Sequence, residues 1–133
     1  MTAEAVASGK WGRYEGTMAT RFEEEFAHYH DARQSLAVLN GTIALEVALR
    51  ALGIGAGDEV LVPPYPFVAT ATAPLMANAI PVFVDIDPAT WNMDPDKIET
   101  AITRRTRAII PVHFAGLPAE MDRILEIARR HGL

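Results

Sequence analysis

No charged residue occurs anywhere from Val60 to Val84, and that stretch restricts the possible folds more than any other part of the chain. Its length raises the question of a membrane-spanning helix. Pro63, Pro64, Pro66, Pro74 and Pro81 answer it, because each would break or kink a continuous helix. Two short buried strands with a helix between them account for the stretch better. Strands that read as unbroken apolar runs belong to parallel sheets with helices on both faces.

The same alternation extends in both directions. Phe22, Phe26 and Tyr29 recur at helical spacing among Glu23, Glu24 and Glu25, predicting an amphipathic helix from Thr20. Gln34 to Leu39 is a short apolar run and reads as a first buried strand. Thr42 to Gly53 predicts a mostly buried helix, with Glu46 and Arg50 four apart on its one polar stripe and Gly53 as a stop. The second strand begins at Val60, a helix covers 66–78, and the third strand covers 80–85. A short exposed helix at 94–102, a fourth strand at 107–113 and a final amphipathic helix at 118–132 complete the pattern. The expectation is an α/β fold of three layers around a mostly parallel sheet. Residues 1–19, with only scattered apolar side chains, read as an arm, and 20–133 as one domain without internal repeats.

Composition removes several classes of function. The 133 residues carry a net charge of -5, and a nucleic-acid backbone or an anionic membrane calls for a concentrated positive face. Arg104, Arg105 and Arg107 cluster, but dispersed acids make them solvated turns. There is no cysteine, hence no disulfide, thiolate metal site or cysteine nucleophile. The first residues lack the apolar core of a secretory signal. These features read as a soluble, cytoplasmic protein.

Ligands of open α/β sheets bind beyond the carboxyl ends of the strands, so the segments leaving each strand are the ones to inspect. Asn40-Gly41-Thr42 stands between a strand and a helix. Such an N-terminus offers free N–H groups to a phosphate, with Gly41 allowing close approach and Thr42 adding a hydroxyl. Equally, Asn40 or Thr42 could simply cap the helix. Spacing alone leaves both readings open. Phe67 could stack on a planar ring, yet by position alone a place in the core is the favoured reading. Asp85 and Asp87 resemble a metal-binding pair, but Pro88 ends the strand and a turn role fits better, so no metal site is expected. His28 and His30 face different directions on one helix, and His131 suits a helix end. His113 closes the predicted fourth strand at the ligand edge and is a candidate binding residue.

Taken together these segments resemble the DegT/DnrJ/StrS family of sugar aminotransferases. The resemblance rests on Asn40-Gly41-Thr42-x-Ala44-Leu45, Gly57-Asp58-Glu59-Val60, Pro66 to Thr70 and Pro81 to Asp87. Asn92-Met93-Asp94-Pro95, Arg107 to His113 with Gly116, Pro118 to Asp122 and the closing His-Gly-Leu follow in the family's order. It implies part of a fold-type-I large domain that binds pyridoxal 5'-phosphate. It assigns Gly41 and Thr42 to the cofactor phosphate, Phe67 to stacking on the pyridine ring, and places His113 and Phe114, with Asn40, nearby. The implied reaction moves an amino group from an amino acid, glutamate or glutamine, to a keto-sugar, nucleotide-linked keto-sugar or keto-cyclitol, in a homodimer.

The departures concern what the resemblance would require in addition. The family's covalent lysine is expected beyond Leu133, as is the acidic residue that pairs with the pyridine nitrogen. The lysines present, Lys10 and Lys97, match neither position. The chain therefore reads as an N-terminal fragment, inactive by itself, with no catalytic residue of its own. The rival readings are a non-catalytic binding or regulatory protein on the same fold, and another fold-type-I pyridoxal-phosphate enzyme such as a desulfurase or lyase.

Overall fold

The computed structural model describes residues 2–133, which divide into two compact units at Leu39/Asn40. The first unit holds α1 (Thr2–Ser8) and α2 (Met18–Tyr29). α2 begins slightly before the predicted helix and buries only Ala27, leaving Phe22 and Phe26 half exposed. The strand expected at 34–39 is not formed. Its N–H groups have no neighbouring strand to meet among the described residues; Ala37 N–H donates instead to the Glu23 carboxylate at 2.7 Å. Ser35 Oγ donates to the Glu23 carbonyl, and Arg13 closes an ion pair on the same carboxylate. The Arg13 guanidinium, followed by the Ala37 N–H, holds the Glu23 carboxyl below its ordinary range.

The second unit contains α3 (Gly41–Ala51), β1 (Glu59–Val62), α4 (Ala69–Met76), β2 (Ile80–Phe83), α5 (Pro95–Ala101), β3 (Thr106–Ile109) and α6 (Met121–His131). The sheet has three strands in the order β2-β1-β3, all parallel. The fourth predicted strand is therefore the third, and it is shorter than expected. Pro111 has no N–H to continue the ladder, so the last bond is Ile110 N–H to the Leu61 carbonyl. His113 consequently lies in the loop that follows β3 instead of closing a strand.

β1 shows why its sequence is uninterrupted by polar residues. Val60 and Val62 point to one side and pack with Leu49, Ile54, Ala73, Ala77 and Ala79. Leu61 points to the other and meets Val84, Met93, Ile98, Ala119, Ile124 and Ile127. Alternate residues of a strand face opposite sides, so one four-residue strand carries both cores. The result is three layers: α3 and α4, the sheet, then α5 and α6.

α3 is less enclosed than its composition predicts. Leu49 is buried, but Val47 and Leu52 remain exposed, because among the described residues only one of its sides meets α4 and the sheet. The expected Glu46–Arg50 pair is present at 2.8 Å. No helix among the described residues is long and apolar enough to cross a membrane.

Candidate functional site

Since the strands are parallel, the segments that leave them meet at one edge of the sheet. These are Pro63–Phe67 after β1, Val84–Trp91 after β2 and Ile110–Gly116 after β3. α4 starts at this edge and runs back toward the start of β2. Arg50, in the last turn of α3, donates to the carbonyl of Met76 at the end of α4. The two helices are thus side by side with their carboxyl ends together, so the N-terminus of α3 also opens at the carboxyl edge.

That N-terminus is built by Asn40. Its backbone is extended, and its side-chain oxygen accepts the Ile43 N–H at 3.0 Å while its carbonyl takes the Ala44 N–H. The capping reading of Asn40 is therefore realised. Capping uses one orphan donor and leaves the N–H groups of Gly41 and Thr42 without a protein partner among the described residues, together with the Thr42 hydroxyl. A side chain on Gly41 would meet nothing within 4 Å, so an open approach exists in front of these donors. Three donors beside a positive helix end fit a phosphate group.

Phe67 is 67% exposed. The core reading by position fails, since the chain leaves β1 through Pro63–Pro66 and carries the ring past the packed layers. Phe67 precedes α4 and so stands at the same edge as the α3 N-terminus. Next to it the loops gather an aromatic group, of which the resemblance placed only Phe114 near the cofactor. Tyr65 lies 5.3 Å from Trp91 and 5.2 Å from Phe114 between ring centroids, and Trp91 stacks on Phe114 at 6.1 Å. Trp91 adopts a left-handed backbone, φ 61°, which a bulky residue rarely does. Its N–H bonds to the Asp87 carbonyl.

Asp85 and Asp87 each serve the local turn. Asp85 accepts from the Ile86 N–H and pairs with Lys97 at 3.1 Å; Asp87 accepts from the Ala89 N–H. The Asp85 carboxylate, with Asp94 beside it, raises the Lys97 ammonium above its usual value and so favours the protonated form. A lysine held as ammonium is a poor nucleophile. His131 reaches Glu99, and His28 and His30 lie in the first unit, apart from this edge in sequence and in unit.

His113 is exposed, and its Nδ1 accepts the Ala119 N–H at 3.0 Å. The loop carrying it is held by Asn92, a residue singled out in sequence only as part of a motif. Asn92 Oδ1 accepts from the Phe114 N–H at 2.9 Å, while Nδ2 donates to the carbonyls of Leu117 and Pro118. The available signal was its place in Asn92-Met93-Asp94-Pro95; the spacing of 22 residues to Phe114 is invisible without the fold.

Comparison with known proteins identifies the family and the fold. The profile of the DegT/DnrJ/EryC1/StrS aminotransferase family matches residues 1–133. A putative L-glutamine:3-amino-2,3-dideoxy-scyllo-inosose aminotransferase of Streptoalloteichus tenebrarius is 54% identical over 84% of this chain and 27% of its own length. GDP-perosamine synthase of Caulobacter vibrioides is 48% identical over 92% of this chain and 33% of its own. The structure of NtdA from Bacillus subtilis with bound cofactor PMP superposes with a TM-score of 0.87 at 41% identity, over 98% of this chain and 30% of that one. The chain spans about a third of the length of the curated relatives it matches.

Proposed function

The chain belongs to the DegT/DnrJ/EryC1/StrS aminotransferase family, and on that premise we propose that it contributes the cofactor-phosphate cup and ring-stacking face of a pyridoxal-phosphate aminotransferase. The observation that carries this reading is the α3 N-terminus. Gly41 and Thr42 offer unpartnered donors at the edge where Phe67 stands exposed. When bound, the cofactor supplies the electron sink that lets an amino group pass between carbon skeletons. The chain's residues bind and orient it. The N–H groups of Gly41 and Thr42 and the Thr42 hydroxyl hold the phosphate, Asn40 keeps the helix end open, and Phe67 presents a flat face to the ring.

The amino donor is glutamate or glutamine, and the acceptor a keto-sugar, nucleotide-linked keto-sugar or keto-cyclitol, in line with the names of the relatives. The active assembly is a cytoplasmic homodimer. Neither lysine in this sequence suits covalent attachment of the cofactor. Lys97 is bound as ammonium between Asp85 and Asp94, and Lys10 stands in the first unit beyond the end of α1. The 133 residues by themselves are accordingly inactive in transamination and hold the cofactor without a covalent bond.

The test is to titrate the purified chain with pyridoxal phosphate, follow absorbance, then reduce with borohydride and measure mass. Saturable binding without stoichiometric mass gain is expected. Stoichiometric labelling of Lys10 or Lys97, or no saturable binding at all, would overturn the reading.

A further inference from the structure

Asn92 is a buried polar side chain, 5% exposed, whose three hydrogen bonds all go to one loop. Its amide orientation is not arbitrary. One side faces an N–H and the other faces two carbonyls, so only one placement of oxygen and nitrogen satisfies all three partners. The loop it grips contains Ala115 and Gly116 in left-handed conformations, φ 48° and 84°. A non-glycine residue in that region persists only where its surroundings enforce it. The grip extends to His113. Its Nδ1 accepts the Ala119 N–H, one residue past the Pro118 carbonyl that Asn92 holds. A neutral imidazole that accepts at Nδ1 carries its proton on Nε2.

We infer that Asn92 is the positioning residue of this edge, holding the 113–118 loop so that His113 presents a fixed Nε2–H donor and Phe114 a fixed ring. The inference deepens the function proposed above and rests on it for the ligand: the donor would meet an anionic or hydroxyl oxygen of the bound cofactor or substrate. Asn92 itself touches no ligand. It lies beneath the loop and acts through His113 and Phe114.

The experiment compares the intact chain with Asn92→Asp, which keeps the acceptor for the Phe114 N–H and replaces the two donors with an oxygen facing the Leu117 and Pro118 carbonyls. Nitrogen NMR of the histidine rings reads the His113 tautomer, amide exchange reads Ala119, and absorbance titration reads pyridoxal phosphate binding. In the wild-type chain His113 is expected as a single Nε2–H tautomer. In Asn92→Asp the tautomers mix, Ala119 exchanges at least tenfold faster, and cofactor affinity falls roughly tenfold. A purely structural asparagine would lower the melting temperature without moving the tautomer. If the aspartate variant does not fold, Asn92→Ser is read in the same way. Mixed tautomers in the wild type, or an unchanged tautomer in a folded variant, overturn the inference. Absence of cofactor binding by the wild type, with the tautomer result intact, refutes the proposed function and leaves the role of Asn92 over His113 standing.

Discussion

Arg50 in the last turn of α3 donates to the carbonyl of Met76, the residue that ends α4. Through that contact two helices separated by a strand share a direction, and the Gly41-Thr42 helix start arrives at the edge where Phe67 leaves β1. The unpartnered donors of Gly41 and Thr42 and the exposed Phe67 ring, remote in sequence, share one edge because their helices are parallel.

The Phe67 ring stands outside the core, and on the proposed function it contributes to binding. Phe67→Ala should leave stability within about 0.5 kcal/mol, as surface substitutions do. Pyridoxal phosphate affinity should fall about tenfold through loss of the stacking face. Urea denaturation and absorbance titration on the same preparation separate the two effects.

Leu61 offers the opposite behaviour. It is fully buried and is the residue of β1 that faces α5 and α6. Leu61→Ala should destabilise the chain by about 2–5 kcal/mol, from lost burial and the cavity left behind. A urea midpoint unchanged by this substitution would contradict the two-sided core of β1.

Asn40→Ala removes the cap on the Ile43 N–H and should cost about 1 kcal/mol of stability. Asn40→Asp should retain the cap while adding negative charge before the donors proposed to hold the phosphate. Stability is then kept and cofactor affinity is lowered, an order that thermal melting and titration would reveal.

Glu59 gives the pH dependence its sign. Its carboxylate accepts from Thr103 Oγ1 and pairs with Arg105, and these partners, Thr103 first, lower its pKa below the ordinary value near 4.5. A group with a depressed folded pKa contributes stability above its unfolded value and loses it as pH falls through the folded one. The urea midpoint should therefore be flat near neutrality and decline below about pH 4.5. Glu59→Gln should weaken the chain at pH 7 and flatten that acid decline; an identical acid slope in both proteins would remove Glu59 from the account.

Much of this was open to reading in the chain itself. The prolines within an uncharged run excluded a spanning helix, and the apolar triplet Val60-Leu61-Val62 announced a strand covered on both faces. The Glu46–Arg50 pair followed from helical spacing, while the side-chain chemistry of a helix start left Asn40 and Thr42 both open as caps and the fold chose Asn40. Where periodicity misled, a partner was lacking or a donor was missing. Residues 34–39 have the composition of a strand but, among the described residues, no neighbouring strand to bond with, and Pro111 ends β3 before His113.

Local chemistry, then, was carried by the sequence: which segments could be helix or strand, which helix start could face an anion, and which family the order of motifs resembles. Those properties depend on neighbours a few residues away. The tertiary structure alone decided that Phe67 is exposed, that Tyr65, Trp91 and Phe114 gather, and that Asn92 holds the His113 loop. Each depends on the parallel order β2-β1-β3, which brings the ends of distant segments to one edge. Side-chain identity specifies a hydrogen-bonding capacity; only the fold determines which partner, 22 residues away, satisfies it.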